Sequence, residues 1–291
     1  MTRQHPLVSR DSGRHPPVVE RDLSDVQAYY ERDEERERLS AGIGLIEFER
    51  TKEILGRALP SPPAVVADIG GGAGRYAFWL ADLGYQVHLR DLVALHVDHA
   101  RRDAGEAGVR IDAAVADARS LDLADASVDA VLLLGPLYHL TERGDRLAVL
   151  REARRIVRPG GAVMAAAISR WIPRLDGLVR HRVYERFPET LDLVDEVERS
   201  GEMPALEPGG FGGYCHRPDE LREEAEAAGL EVEDLVSVEG IAFALADLDE
   251  RLASPEATEV LLDAARAIER VPELLGLGPH LIVTARRPDA G

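Results

Sequence analysis

Apolar residues recur along this chain in two patterns, short continuous runs and longer stretches with apolar positions three and four residues apart. Ala64-Val-Val-Ala-Asp-Ile69 is a run of strand length, rich in β-branched residues and apolar enough for the middle of a parallel sheet. Similar runs predict strands over residues 86–89, 111–116, 128–134, 162–168, 230–238 and 280–285. Helical spacing is predicted over 75–83, 92–105 and 143–157, from Arg217-Pro-Asp-Glu-Leu to Ala228, and over an excursion from 246 to 271. Such alternation implies right-handed crossovers and an α/β fold, with helices on both faces of a mostly parallel sheet. Before it, residues 23–59 carry Leu39, Ile43, Ile46, Ile54 and Leu55 at helical spacing and predict two or three helices. Leu-Pro-Ser-Pro-Pro at 59–63 stops them, because proline lacks the amide donor and restrains the residue before it. Between Trp171 and Tyr214 the alternation lapses into scattered prolines and Gly209-Gly-Phe-Gly-Gly213, which reads as an insertion rather than scaffold. The expected organisation is a flexible leader over 1–20, a helical cap over 21–60 and one α/β domain over 61–291, with the insertion at about 171–214.

Composition narrows the function classes. A chain of 291 residues with 45% hydrophobic and 30% charged positions builds one sizeable soluble domain. Its formal charge of −18 repels nucleic-acid phosphates and anionic membrane surfaces unless a local basic patch intervenes, so a small-molecule partner is expected. No apolar run reaches the roughly 20 residues of a membrane-spanning helix, and residues 1–20 lack the apolar stretch of a secretory signal. A cytoplasmic protein is expected. Cys215, the single cysteine, excludes an internal disulfide and gives no basis for a cysteine-based zinc site.

The most informative stretch is Asp68-Ile-Gly-Gly-Gly-Ala-Gly-Arg75, directly after a buried strand and directly before an amphipathic helix. Glycines in such a turn let the backbone approach a ligand, and the helix that follows points unsatisfied amides across the crevice. A dinucleotide fingerprint requires G-x-G-x-x-G, but the frame starting Gly70-x-Gly72 puts Arg75 where the third glycine belongs. The spacing present is Asp-x-Gly-x-Gly-x-Gly, from Asp68 through Gly70, Gly72 and Gly74. It closely resembles the first motif of class I, Rossmann-like methyltransferases that use S-adenosylmethionine. Motifs carry the resemblance from about Val65 to Ile168, and it continues less closely from Arg217 to Ala285. Gly71 is its least typical feature.

The resemblance implies a seven-stranded sheet with an antiparallel last strand, and a loop wrapping the amino-acid half of S-adenosylmethionine, with Asp68 as partner of the ammonium. It further implies that Asp91, followed by Leu92, accepts the ribose hydroxyls, although a carboxylate there also suits a helix N-cap. Asp117 and Ala118 match the adenine contact. Leu134 and Gly135 are expected along the cofactor, and Tyr138 and His139 along the acceptor. His139 has an ordinary pKa suited to taking a proton, though it also suits a loop filler. Tyr29 and Tyr30 are candidates to pack on the cofactor, and Arg50, near Glu47, to pair with its carboxylate; helix packing and a surface ion pair are the alternatives. Trp171, Phe211, Tyr214 and His216 in the insertion are expected around the acceptor, unless the segment packs a dimer partner. His96 and His99 on one helix are not expected to bind metal.

Methyl transfer from a sulfonium needs alignment and exclusion of water rather than a metal or covalent nucleophile. The expected activity is therefore methylation of an oxygen, nitrogen or electron-rich aromatic carbon of a small molecule, expected to be a secondary metabolite, with S-adenosylhomocysteine as product. An NAD-dependent oxidoreductase and a non-catalytic S-adenosylmethionine-binding module are the alternatives. Nucleic-acid methylation is disfavoured by the lack of a basic surface or recognition domain.

Overall fold

The computed structural model describes residues 38–180, 182–205 and 210–289. The leader, the start of the expected cap, Tyr29 and Tyr30 lie outside the described residues. A short 3-10 turn, Arg38–Ser40, leads into helix α1 (Gly42–Ala58), which ends as Leu59 turns extended ahead of the prolines. The alternating core follows: β1 (Val65–Ile69), α2 (Arg75–Asp82), β2 (Gln86–Asp91), α3 (Ala94–Ala107), β3 (Asp112–Val115), β4 (Val128–Leu133), α4 (Arg143–Ile156) and β5 (Val157–Ser169). Strands β1 to β5 pair in parallel in the order β3-β2-β1-β4-β5.

Period-two alternation divides the central strands between two cores. Ala67, Val131, Leu133, Val163 and Ala165 pack with Val149, Leu150 and Ala153 of α4. Val66, Ala130, Leu132 and Met164 pack on the opposite face with Leu55 of α1, Leu80 of α2 and Val97 of α3. Burial on both faces explains why these strands read as continuous apolar runs. The expected cap helix α1 is thus core material, with Ile46, Ile54 and Leu55 fully or almost fully buried.

After β5 come α5 (Ile172–Val179), α6 (Val183–Arg186), α7 (Thr190–Ser200), β6 (Glu202–Met203), β7 (Gly213–His216), α8 (Pro218–Ala227), β8 (Glu231–Ser237), α9 (Leu248–Leu252), α10 (Pro255–Ile268) and β9 (His280–Arg286). Strand β9 runs antiparallel beside β5, and β8 antiparallel beside β9. All seven expected strands are present, with two differences. Residues 158–161, between the expected helix and the expected strand, lie inside β5: Val157 already pairs with Val128, and the ladder resumes at Ala130↔Ala162 after an irregularity. The insertion also returns to the sheet. Ile168 pairs with His280 of β9 on one edge and with Cys215 of β7 on the other, so β7 occupies the lane that β4 vacates after Leu133. A four-residue strand among glycines and polar residues has too short a pattern to announce itself.

Candidate active site

The carboxyl ends of the parallel strands and the antiparallel start of β9 open into one cavity of about 210 Å³. That is several times the ~30 Å³ share of a water molecule, so it is a ligand-sized space rather than a packing defect. Its wall runs from the glycine loop past the ends of β2 and β3, along the 3-10 turn Pro136–His139 after β4, and beneath α1 to His280.

Asp68, near the end of β1, is fully buried and lines the cavity. The Ala77 amide lies close enough to favour its ionised form, but neither carboxylate oxygen accepts a hydrogen bond of normal geometry from a described residue. Burial, reinforced by the nearby Asp91 charge, pushes its pKa from 3.8 up to about 7. A Cβ at residue 71 would stand 2.6 Å from the Asp68 carboxylate, so the unusual Gly71 is what leaves that group its space. Gly70, Gly71 and Gly72 line the cavity. Gly74 does not: at φ +92° it sits at the N-cap of α2, packed against Phe78 and Ala100. Its expected ligand contact is replaced by a backbone role that glycine fills without strain.

Asp91 ends β2 and ties the wall together. One oxygen accepts the Gly72 amide at 2.8 Å; the other accepts the Val93 amide at 2.9 Å and lies 3.2 Å from His96 Nδ1. The N-cap position of α3 is Val93 rather than Asp91, so the carboxylate braces the turn before the helix and still faces the cavity. Leu92, Asp117, Ala118, Leu134, Gly135, Tyr138 and His139 line the cavity as expected. Asp117 is held by the Arg119 guanidinium, with Arg119 Nη2 at 2.7 Å. Burial opposes its ionisation, but the Arg119 hydrogen bonds prevail and keep its pKa low.

Several expected contacts are not in this wall. Arg50 is fully buried and pairs with Glu53 and Glu269 at the junction of α1 with the end of α10. Glu47 and Thr51 of the same helix line the cavity, whereas Arg50 is engaged by Glu53 and by Glu269 beyond α10. Tyr214 and His216 share the face of β7 turned towards α4 and α8. The Arg146 guanidinium lies 3.6 Å from the Tyr214 ring centroid, and His216 Nε2 lies 3.2 Å from Glu224 of a buried Arg146–Glu224 pair. Neither Tyr214 nor His216 lines the cavity. Trp171 packs against Gly276 and is 40% exposed, outside the cavity. Phe211 lies behind the wall, with its ring edge-on to His139 at 5.5 Å between centroids.

The sequence reading missed Glu47, Glu239 and His280, whose donor atoms all lie within 4.8 Å of one another. Glu47 and His280 line the cavity. Burial works against charge on both, but their mutual attraction, Arg38 beside Glu47 and Glu239 beside His280 prevail. The Glu47 carboxyl is held low and the His280 imidazole is pushed up to about 9. A signal existed: an antiparallel last strand starts at the edge where parallel strands end, so His280 belonged at the ligand edge.

Residues 66–161 match a family model described as a methyltransferase domain. A ubiquinone/menaquinone biosynthesis C-methyltransferase from Acidiphilium cryptum is 35% identical over 122 residues, 41% of this chain and 48% of that protein, so this chain spans about half its length. The 27-O-demethylrifamycin SV methyltransferase of Amycolatopsis mediterranei is 29% identical over 76% of each chain. The tRNA 5-carboxymethoxyuridine methyltransferase of Escherichia coli is 26% identical, over 77% of this chain and 80% of that one. The crystal structure of an S-adenosylmethionine-dependent methyltransferase from Methanosarcina mazei shares the fold, with a TM-score of 0.57 at 18% identity over 81% of this chain and 98% of that one.

Proposed function

For a chain with a methyltransferase domain over residues 66–161 on the class I fold, we propose that the cavity binds S-adenosylmethionine and that the protein methylates an oxygen, nitrogen or electron-rich aromatic carbon of a small molecule, releasing S-adenosylhomocysteine. The observation that carries the proposal is the buried, unpartnered Asp68 carboxylate facing the cavity beside the glycine loop. A buried carboxylate without a partner is costly unless a cation meets it. The ligand's ammonium is that cation, whereas a dinucleotide pyrophosphate would meet like charge. Asp91 takes the ribose hydroxyls, Asp117 and Ala118 meet the adenine, and Leu134 and Gly135 border the ligand. Tyr138 and His139 form the acceptor wall on the β4 side.

When bound, the sulfonium supplies the electrophilic methyl group. The chain's part is to align the acceptor and keep water out. The formal charge of −18 favours a small acceptor over a nucleic acid, and the similarity to a rifamycin methyltransferase favours a natural product. Among the described residues no helix is long and apolar enough to cross a membrane.

Calorimetric titration with S-adenosylmethionine and, separately, NADH tests the reading. Saturable binding of the first alone is expected, weakened about a hundredfold or more in Asp91→Ala, the scale of two charge-assisted hydrogen bonds. Preference for NADH would return the site to hydride chemistry. Methyl transfer to bulk tRNA would overturn the small-molecule assignment.

A further inference from the structure

Glu239, just past β8, meets His280, which opens β9 and lines the cavity. His280 Nδ1 lies 2.5 Å from Glu239 Oε1, and the His280 main-chain amide donates to Glu239 Oε2 at 3.0 Å. Glu47 Oε2 of α1 is 3.8 Å from the same ring nitrogen. Arg38 pairs with Glu47 from the solvent side, and Tyr76, hydrogen-bonded to Thr51, faces both carboxylates. Two carboxylates around one imidazole favour its charged form, and Glu239 is only 1% exposed. Burial opposes that charge without prevailing, and the imidazole stays protonated to about pH 9.

With Nδ1–H committed to Glu239, Nε2–H is the remaining donor of a ring whose residue lines the cavity. The neighbouring walls there, Ala166, Val238 and Ile282, are apolar. In the sheet, β9 is two lanes from β4, roughly 10 Å at normal strand spacing. Strand β5 lies in the lane between them, and His280, Gly135, Tyr138 and His139 line the same cavity.

We propose that His280 is the acceptor-binding residue, an imidazolium whose Nε2–H holds the nucleophilic oxygen of the substrate as an anion. The substrates are then phenols, enols and similar acidic hydroxyls rather than amines. This rests on the methyltransferase reading above. The hydroxyl proton is released to solvent on binding. The oxygen then forms the new carbon–oxygen bond as the methyl–sulfur bond breaks, its electron pair remaining on sulfur, and His280 keeps its proton throughout. The acid–base group expected at His139 is therefore not needed; His139 serves as wall.

The test adds para-nitrophenol, coloured only as its anion, to the S-adenosylhomocysteine-bound protein at a pH where free para-nitrophenol is mostly protonated. The bound molecule is expected to show the anion's colour. His280→Gln should bind it at least about tenfold more weakly, the loss of one charge-assisted hydrogen bond, with unchanged affinity for S-adenosylhomocysteine. In carbon-13 histidine spectra, one resonance should stay charged to about pH 9 and vanish in His280→Gln; in Glu239→Gln it should titrate at lower pH. Binding of para-nitrophenol in its neutral form, or equally well by His280→Gln, would overturn the assignment. So would Mn²⁺ alone binding with release of a proton, which would make the three side chains a metal site. If wild type fails to bind S-adenosylhomocysteine, the cofactor reading falls, while the titration and the colour still judge His280 in the ligand-free protein.

Discussion

Replacing Asp68 by asparagine separates what the glycine loop does for the ligand from what it does to the fold. The Asp68 pKa rises from 3.8 to about 7 because the charge is buried and close to Asp91. A folded-state pKa above the unfolded value means that the folded protein holds the proton more tightly. Its contribution is therefore neutral below about pH 4, turns unfavourable as pH rises, and reaches its full size above about pH 7. At about 1.4 kcal/mol per pH unit, the interval from 3.8 to about 7 amounts to at most about 4 kcal/mol. Asp68→Asn should therefore melt like wild type near pH 4 and, in the ligand-free state at pH 8, melt higher by on the order of 10 °C. Binding should change in the opposite direction. Wild-type affinity for S-adenosylmethionine should rise about fivefold between pH 6 and pH 7 as Asp68 ionises, then fall above about pH 8 as the ligand's amino group loses its proton. The variant should bind weakly and lack the acid limb. Thermal denaturation and calorimetry across pH measure both effects. A variant less stable than wild type at pH 8, or a wild-type affinity flat from about pH 5.5 to pH 7.5, would refute the reasoning.

Two further substitutions probe the surroundings. Gly71→Ala places a methyl group 2.6 Å from the Asp68 carboxylate and should lower S-adenosylmethionine affinity at least about tenfold by calorimetry; Gly105→Ala, in open space on α3, should leave it unchanged. Glu224→Ala strands the buried Arg146 guanidinium and should lose about 3–5 kcal/mol in urea denaturation at pH 7. Burial opposes ionisation of Glu224, but His216 and Arg146 hold its pKa down to about 2. The wild-type advantage should thus be complete above pH 4.5 and disappear as pH falls towards 2.

The parts of the site that were legible in the sequence are those written locally. A buried strand, a glycine turn and a helix follow one another within residues 64–83, and Asp91 and Asp117 close the next two strands, so strand order alone brings them to one edge. Side-chain direction was less accessible. Arg50 and Glu47 are three residues apart, yet one faces α10 and the other the cavity, and only packing of α1 against distant elements decides which. Tyr214 and His216 sit on the acceptor side in sequence order, but pairing of β7 with β5 turns both towards α4 and α8. The Glu47–Glu239–His280 group joins residues up to 233 positions apart, beyond the reach of any local pattern.

The seating of β7 beside β5 has a bearing on how this protein can change. Arg170 donates its amide to the His216 carbonyl at 2.8 Å, and Ser169 pairs with His216 in the sheet, so the excursion from 171 to 215 leaves and re-enters at one stapled point. The ends of that loop are already held together, and each doubling of its length adds only about 0.6 kcal/mol of closure entropy. The stretch can therefore be lengthened or shortened at small entropic cost while the glycine loop and the strand ends that line the cavity keep their places, since none of its described residues forms that wall.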